Sequence, residues 1–302
     1  MSEVSARRAA YDEPEFEQRT AQAPDDLAID VPRETPSLPQ PDAPRVMVVA
    51  NQKGGVGKTT TAVNIAAGLA MGGLRVLVVD MDPQGNASTA LGVEHGEGTP
   101  GTYEVLVDGE PLVDVLQRCP DIPDLWAMPA TIDLAGAEVG LVASVSRETR
   151  LRDALDAFFE NHYVDYVIID CPPSLGLLTL NALVAAKEIM IPIQCEYYAL
   201  EGVTQLLKTI NLVKGRLNDE LTLTTVMLTM FDARTNLSSQ VADEVRKHFA
   251  REVLDTVIPR SVRIAEAPSY GQTVLSYQFA SVGAQAYQQA SAEIAARGVL
   301  PN

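Results

Sequence analysis

The chain has 302 residues, 46% hydrophobic and 21% charged, with 40 Asp and Glu against 23 Lys and Arg for a net charge of −17. That composition excludes a wholly disordered or fibrous chain, and the length suits one large α/β domain. The acidity excludes a uniformly basic nucleic-acid binder, so any contact with nucleic acid has to be a local cationic patch.

Residues 1–44 carry 10 acidic against 4 basic side chains, together with Pro24, Pro32, Pro36, Pro39, Pro41 and Pro44, and show no apolar periodicity. A segment of that kind is expected to be a disordered acidic, Pro-rich tail preceding a domain over 45–302. The longest apolar runs fall far short of a bilayer span, and residues 1–12 lack the apolar core of a signal peptide, so a cytoplasmic protein is expected. Cys119, Cys171 and Cys195 form no CxxC pair, and burial as small apolar residues is expected for them.

From Arg45 onward, short β-branched runs alternate with longer helical stretches. The pattern predicts strands over 45–50, 75–79, 125–128, 164–169, 188–193, 222–230 and 253–257. The fold class is therefore α/β: a mostly parallel twisted sheet of about seven or eight strands, covered by helices on both faces.

The first strand runs into Lys53-Gly54-Gly55-Val56-Gly57-Lys58-Thr59-Thr60 and then into a helical pattern carrying Val63, Ile65, Ala66, Leu69 and Ala70. Strand, glycine-rich loop and helix N-terminus form the context of a phosphate loop, in which backbone N–H groups turn inward around phosphates. Lys58 is expected to reach the β and γ phosphates of ATP, and the Thr59 hydroxyl to ligate Mg2+. Gln52 stands where the usual Walker pattern has its first glycine, and Lys53 follows it. A second lysine does not easily share the phosphate face taken by Lys58, so Lys53 is expected to serve another subunit.

Two later runs deliver carboxylates to strand ends, where α/β folds bind ligands. Residues 166–169 lead to Asp170, expected to hold the magnesium shell. Residues 77–79 lead to Asp80-Met81-Asp82-Pro83-Gln84-Gly85-Asn86. There Asp82 is placed to orient an attacking water and to join the metal set, with Lys53, Lys58 and Asp82 as the catalytic group. Asp80 either supports the metal shell or satisfies the loop backbone.

These three motifs together resemble the ParA/Soj chromosome-partitioning ATPases, the deviant Walker group of P-loop proteins. The likeness continues through Glu196-Tyr197-Tyr198-Ala199-Leu200-Glu201-Gly202, Asp232-Ala233-Arg234-Thr235-Asn236-Leu237 and Ile258-Pro259-Arg260-Ser261-Val262-Arg263, covering roughly residues 45–298.

The resemblance implies a nucleoid-associated switch: Mg-ATP drives a sandwich homodimer in which Lys53 reaches the partner's phosphates. The dimer grips double-stranded DNA without sequence preference, and a ParB-type protein stimulates slow hydrolysis. It also implies DNA contacts at Arg234 and Arg263, whose guanidinium forks suit phosphate, and a base pocket at Pro259 and Arg260. Lys208, Lys214, Arg216, Arg246 and Lys247 would enlarge the patch, although each taken singly is more often a solvated surface charge. A relative that positions a protein cargo or organelle is the alternative. A membrane role is disfavoured because residues 290–302 carry one basic residue and no basic amphipathic helix.

Overall fold

The computed structural model describes residues 37–142, 145–197 and 199–298. One sheet of eight strands organises it: β1 Arg45–Val49, β2 Val76–Asp80, β3 Gln117–Arg118, β4 Leu125–Met128, β5 Tyr166–Asp170, β6 Glu188–Gln194, β7 Thr222–Phe231 and β8 Val253–Pro259. Their order across the sheet is β3-β4-β2-β5-β1-β6-β7-β8. All neighbours pair parallel except β3, a two-residue edge strand antiparallel to β4.

Alternation along β1 shows why both faces need covers, since successive side chains of a strand point to opposite sides. Val46, Val48 and Ala50 enter one core, and Met47 and Val49 enter the other. The first core takes apolar residues from helices α4 Arg150–Phe159, α5 Leu177–Ala185, α6 Ala199–Arg216 and α7 Asn236–His248. The second takes them from α1 Lys58–Met71, α9 Val274–Tyr277 and α10 Val282–Arg297. Three short helices complete the set: α2 Asn86–Ala90, α3 Ala137–Val142 and α8 Val262–Glu266. Cys119, Cys171 and Cys195 are all buried and free.

The tail expected over 1–44 meets the body before residue 45. The Leu38 N–H donates to the Gly72 carbonyl at 2.9 Å, the Gln40 amide donates to Asp165 at 2.9 Å, and the Leu38 side chain packs on the second core. A single leucine among prolines carries no periodicity, which is why its docking is invisible in the sequence. The remainder of that tail, residues 1–36, lies outside the described residues, as does Tyr198. Among the described residues no helix is long and apolar enough to cross a membrane.

Candidate nucleotide-binding site

The site forms at the carboxyl edge of the sheet, where β1, β5 and β2 lie side by side. Val49 pairs with Asp170, and Asp170 pairs with Asp80. The loop from Asn51 to Gly57 leaves this edge and enters α1. Buried Asn51 ties the loop to β6, donating from Nδ2 to the Pro192 carbonyl at 2.8 Å while its Oδ1 accepts the Lys53 N–H at 3.0 Å. A second tie comes from β7, where the buried Thr229 hydroxyl donates to the Val56 carbonyl at 2.9 Å.

Gly57 caps α1 at φ 88°, ψ 31°, a left-handed conformation that side chains resist. Gly54 and Gly55 are exposed, and a Cβ on either would meet no atom within 4 Å, so the loop opens onto free space where a phosphate chain would lie. Lys58 is buried, its Nζ 3.4 Å from the Lys53 carbonyl. Burial lowers the Lys58 pKa, and the Asp170 and Asp82 carboxylates oppose that shift. Lys53 behaves differently. It lies at the rim, half-exposed, with Nζ 3.6 Å from Glu196 Oε2.

The two strand-end aspartates are both buried and are held very differently. Asp80 is satisfied: Oδ1 accepts the Asp82 N–H at 3.1 Å, and Oδ2 accepts the Ser88 N–H at 2.9 Å and the Ser88 hydroxyl at 2.8 Å. Of the two roles left open for Asp80, this geometry favours supporting the loop. Neither oxygen of Asp170 has a hydrogen bond of good geometry, although the Thr59 hydroxyl approaches closely enough to lower its pKa. Desolvation, followed by repulsion from Asp80, pushes the Asp170 pKa well above the ordinary carboxylate range. A buried carboxylate without partners carries a large desolvation cost, and a divalent cation removes it. Asp170 and the adjacent Thr59 therefore fit a magnesium site, and the open glycine loop fits the phosphates that accompany it.

Asp82 stands in the turn after β2. Its Oδ1 accepts the Gln84 N–H at 3.0 Å and its carbonyl accepts the Gly85 N–H at 2.9 Å, leaving Oδ2 without a hydrogen bond among the described residues. Gly85 holds φ 61°, and a Cβ there would come within 2.8 Å of the Ala130 carbonyl.

Pro259 closes β8, and the Arg260 N–H donates to the Phe231 carbonyl at 3.0 Å; the Arg260 guanidinium lies 3.5 Å from Glu196. Arg234 and Arg263 follow the adjacent strands β7 and β8, and both are exposed. Each is paired within its own chain. Arg234 grips Asp232 through two hydrogen bonds of 2.9 and 2.8 Å, which holds the Asp232 pKa down at about 2. Arg263 meets Glu266 at 2.9 Å. Lys208, Lys214, Arg216 and Lys247 are exposed on α6 and α7, and Arg246 is partly buried.

Sequence reasoning missed Asn51, Thr229 and Ser88 as site supports. Their roles depend on contacts between segments 8 to 173 residues apart, for which spacing gives no signal. Met230, at φ 52° with its Cε 3.9 Å from a Cβ built on Gly57, was missed for the same reason.

A phosphate loop between a parallel strand and a helix N-terminus, beside a buried, unpartnered aspartate, defines a P-loop nucleoside triphosphatase. Residues 44–223 match the sequence family described as "AAA domain". The chain is 52% identical over 254 residues to the sporulation initiation inhibitor protein Soj of Bacillus subtilis, covering 84% of this chain and 99% of that one. It is 50% identical over 253 residues to the chromosome partitioning protein ParA of Caulobacter vibrioides, covering 84% and 94%. Among solved structures, cobyrinic acid a,c-diamide synthase of Mycobacterium smegmatis with bound ATP analog and magnesium superposes at TM-score 0.71, with 40% identity and coverage of 82% and 93%. An ATP complex of a McdA variant from Cyanothece shares the fold at TM-score 0.72 and 22% identity, covering 85% of this chain and 98% of that one. The chain belongs to the ParA/Soj family of chromosome-partitioning ATPases.

Proposed function

We propose that this protein is a DNA-gripping switch for chromosome partitioning, in which Mg-ATP drives a homodimer and hydrolysis dissolves it. The observation that carries this reading is the division of labour between two lysines on one loop. Lys58 is buried inside the loop, whereas Lys53 is turned to the rim and is half-exposed. A cation placed there has little use for its own subunit's phosphates and is available to a second subunit facing the same edge.

Gly54, Gly55, Val56, Gly57, Lys58, Thr59 and Thr60 cradle the phosphates of ATP. Thr59 and Asp170 hold magnesium, with Asp82 beside them, and the ion supplies charge neutralisation on the phosphate oxygens. Asp82, with one carboxylate oxygen free, orients the attacking water. Pro259 and Arg260 stand on the same sheet edge as the base contacts. Arg234 and Arg263 contact the phosphates of double-stranded DNA on the nucleoid, without reading sequence. A ParB-type partner stimulates slow turnover.

Light scattering of the full chain with a non-hydrolysable ATP analogue and magnesium tests the dimer. The wild type doubles its mass and Lys53→Ala stays monomeric; a normal dimer from Lys53→Ala would refute the role given to that residue. Phosphate release from ATP in the absence of any small-molecule acceptor separates the switch from a biosynthetic synthetase, which would need its acceptor.

A further inference from the structure

Glu196, just beyond the end of β6, joins three segments that are far apart in sequence. Its Oε1 accepts the Gln194 side-chain amide at 2.5 Å and lies 3.5 Å from the Arg260 guanidinium, while Oε2 lies 3.6 Å from Lys53 Nζ. Both ends of the Lys53 contact are referenced to one strand. The Lys53 N–H hangs from Asn51, Asn51 is tied to Pro192 of β6, and Glu196 follows β6 two residues after its last member. We propose that Glu196 is a positioning residue that holds Lys53 within its own subunit until nucleotide draws it away, an inference that rests on the trans role given to Lys53 above.

The hold has the strength a switch needs. Lys53 and Glu196 have side chains 36% and 45% exposed, so water and salt screen the pair and it opens readily. A triphosphate brings several negative charges to the loop against the single carboxylate of Glu196, and electrostatic attraction then favours the phosphates. Within the same loop the Lys58 ammonium lies 3.4 Å from the Lys53 backbone carbonyl, and a phosphate competes for that ammonium as well. Binding that must first break a contact within the free subunit is weakened by the population held in that contact, so the hold sets the threshold for dimerisation.

The test uses the full chain and Glu196→Gln, which keeps the side chain's shape and removes its charge. Without nucleotide, acylation of the Lys53 amine by a brief pulse of an N-hydroxysuccinimide ester is read by mass spectrometry against exposed Lys214. Glu196→Gln raises Lys53 labelling about two- to five-fold, the range expected for loss of one screened ion pair; equal labelling overturns the hold. With a non-hydrolysable ATP analogue and magnesium, the protein concentration at half-dimerisation falls about two- to five-fold in Glu196→Gln. An unchanged or higher midpoint overturns the proposal, because Glu196 would then have no effect on Lys53 or would hold it in its working position. A wild type that stays monomeric refutes the dimer reading instead, and the labelling ratio still decides whether Glu196 holds Lys53.

Discussion

Asp80 and Asp170 end neighbouring parallel strands in register, yet the carboxylate of Asp80 accepts three hydrogen bonds and that of Asp170 accepts none of good geometry. Two like charges buried together cannot both be comfortable in a medium of low polarizability. The fold gives the internal donors to Asp80 and leaves Asp170, in the proposed site, to be neutralised by the magnesium that accompanies ATP.

Replacing Asp170 by Asn should therefore have opposite effects on the empty and the loaded protein. Without nucleotide, replacing a desolvated carboxyl group that has no hydrogen bond of good geometry raises the thermal midpoint by about 2 °C or more, the shift expected for each kcal/mol in a domain of this size. With Mg-ATP the midpoint of the variant no longer rises, whereas the wild type does. Differential scanning fluorimetry with and without magnesium reads both.

The Asp80 carboxyl, raised by burial to about pH 6, gives the nucleotide-free protein a pH dependence with a defined sign. A carboxyl whose folded pKa exceeds its unfolded value near 4 binds more protons when folded, so its contribution to stability is full below about pH 4 and is lost as pH rises through about 6. Asp80→Asn should flatten the stability profile across that window in urea melts at pH 4.5, 5.5 and 6.5. A variant with the wild-type slope would show that other groups dominate.

Thr229→Val keeps the volume of a buried side chain and deletes the hydroxyl bonded to Val56. The stranded carbonyl costs about 1–3 kcal/mol of stability. Because that carbonyl is part of the phosphate loop, ATP affinity should fall as well. Urea melts and equilibrium binding of a fluorescent nucleotide measure the two losses, and a stability loss with intact binding would separate the anchor from the loop's function.

Asp82→Ala should bind nucleotide and dimerise while releasing phosphate at a rate lowered by about 100-fold or more, the scale of a positioned general base. Turnover within two-fold of wild type would remove Asp82 from the catalytic group.

Much of this was legible in the sequence because it is local. The glycine loop and the apolar runs ending in Asp80 and Asp170 each lie within a dozen residues, and the structure places them on one sheet edge. Strand β3 was missed because two residues carry no alternation. Apart from the strand over 125–128, which is present as expected, residues 86–142 gave no clear reading because their short helical turns, including a π-turn over Glu104–Asp108, are set by packing against the two cores. The docking of Leu38 was not legible because its partners, the Gly72 carbonyl and the second core, come together only in the folded body. At the site, sequence supplied the cationic residues but not their partners: that Lys53 faces Glu196, and Arg234 faces Asp232, follows from the tertiary fold alone.

The Arg234 pairing leads to a signed expectation for DNA. Arg234→Ala should lower the slope of log affinity against log salt by about 0.9, one phosphate contact, equally on unrelated duplexes. Asp232→Asn, which frees the guanidinium from its internal carboxylate, should tighten binding. Fluorescence anisotropy on two duplexes of unrelated sequence distinguishes these outcomes from a DNA site elsewhere.

The central claim is that ATP gates a sequence-independent grip on DNA. The most direct measurement is anisotropy of the purified chain on two unrelated duplexes, at several salt concentrations, with no nucleotide, with ADP and with Mg-ATP. Binding with Mg-ATP only, equal for both duplexes and weakening with salt, is the predicted result. Binding in none of the three states, or equal binding in all of them, would contradict it.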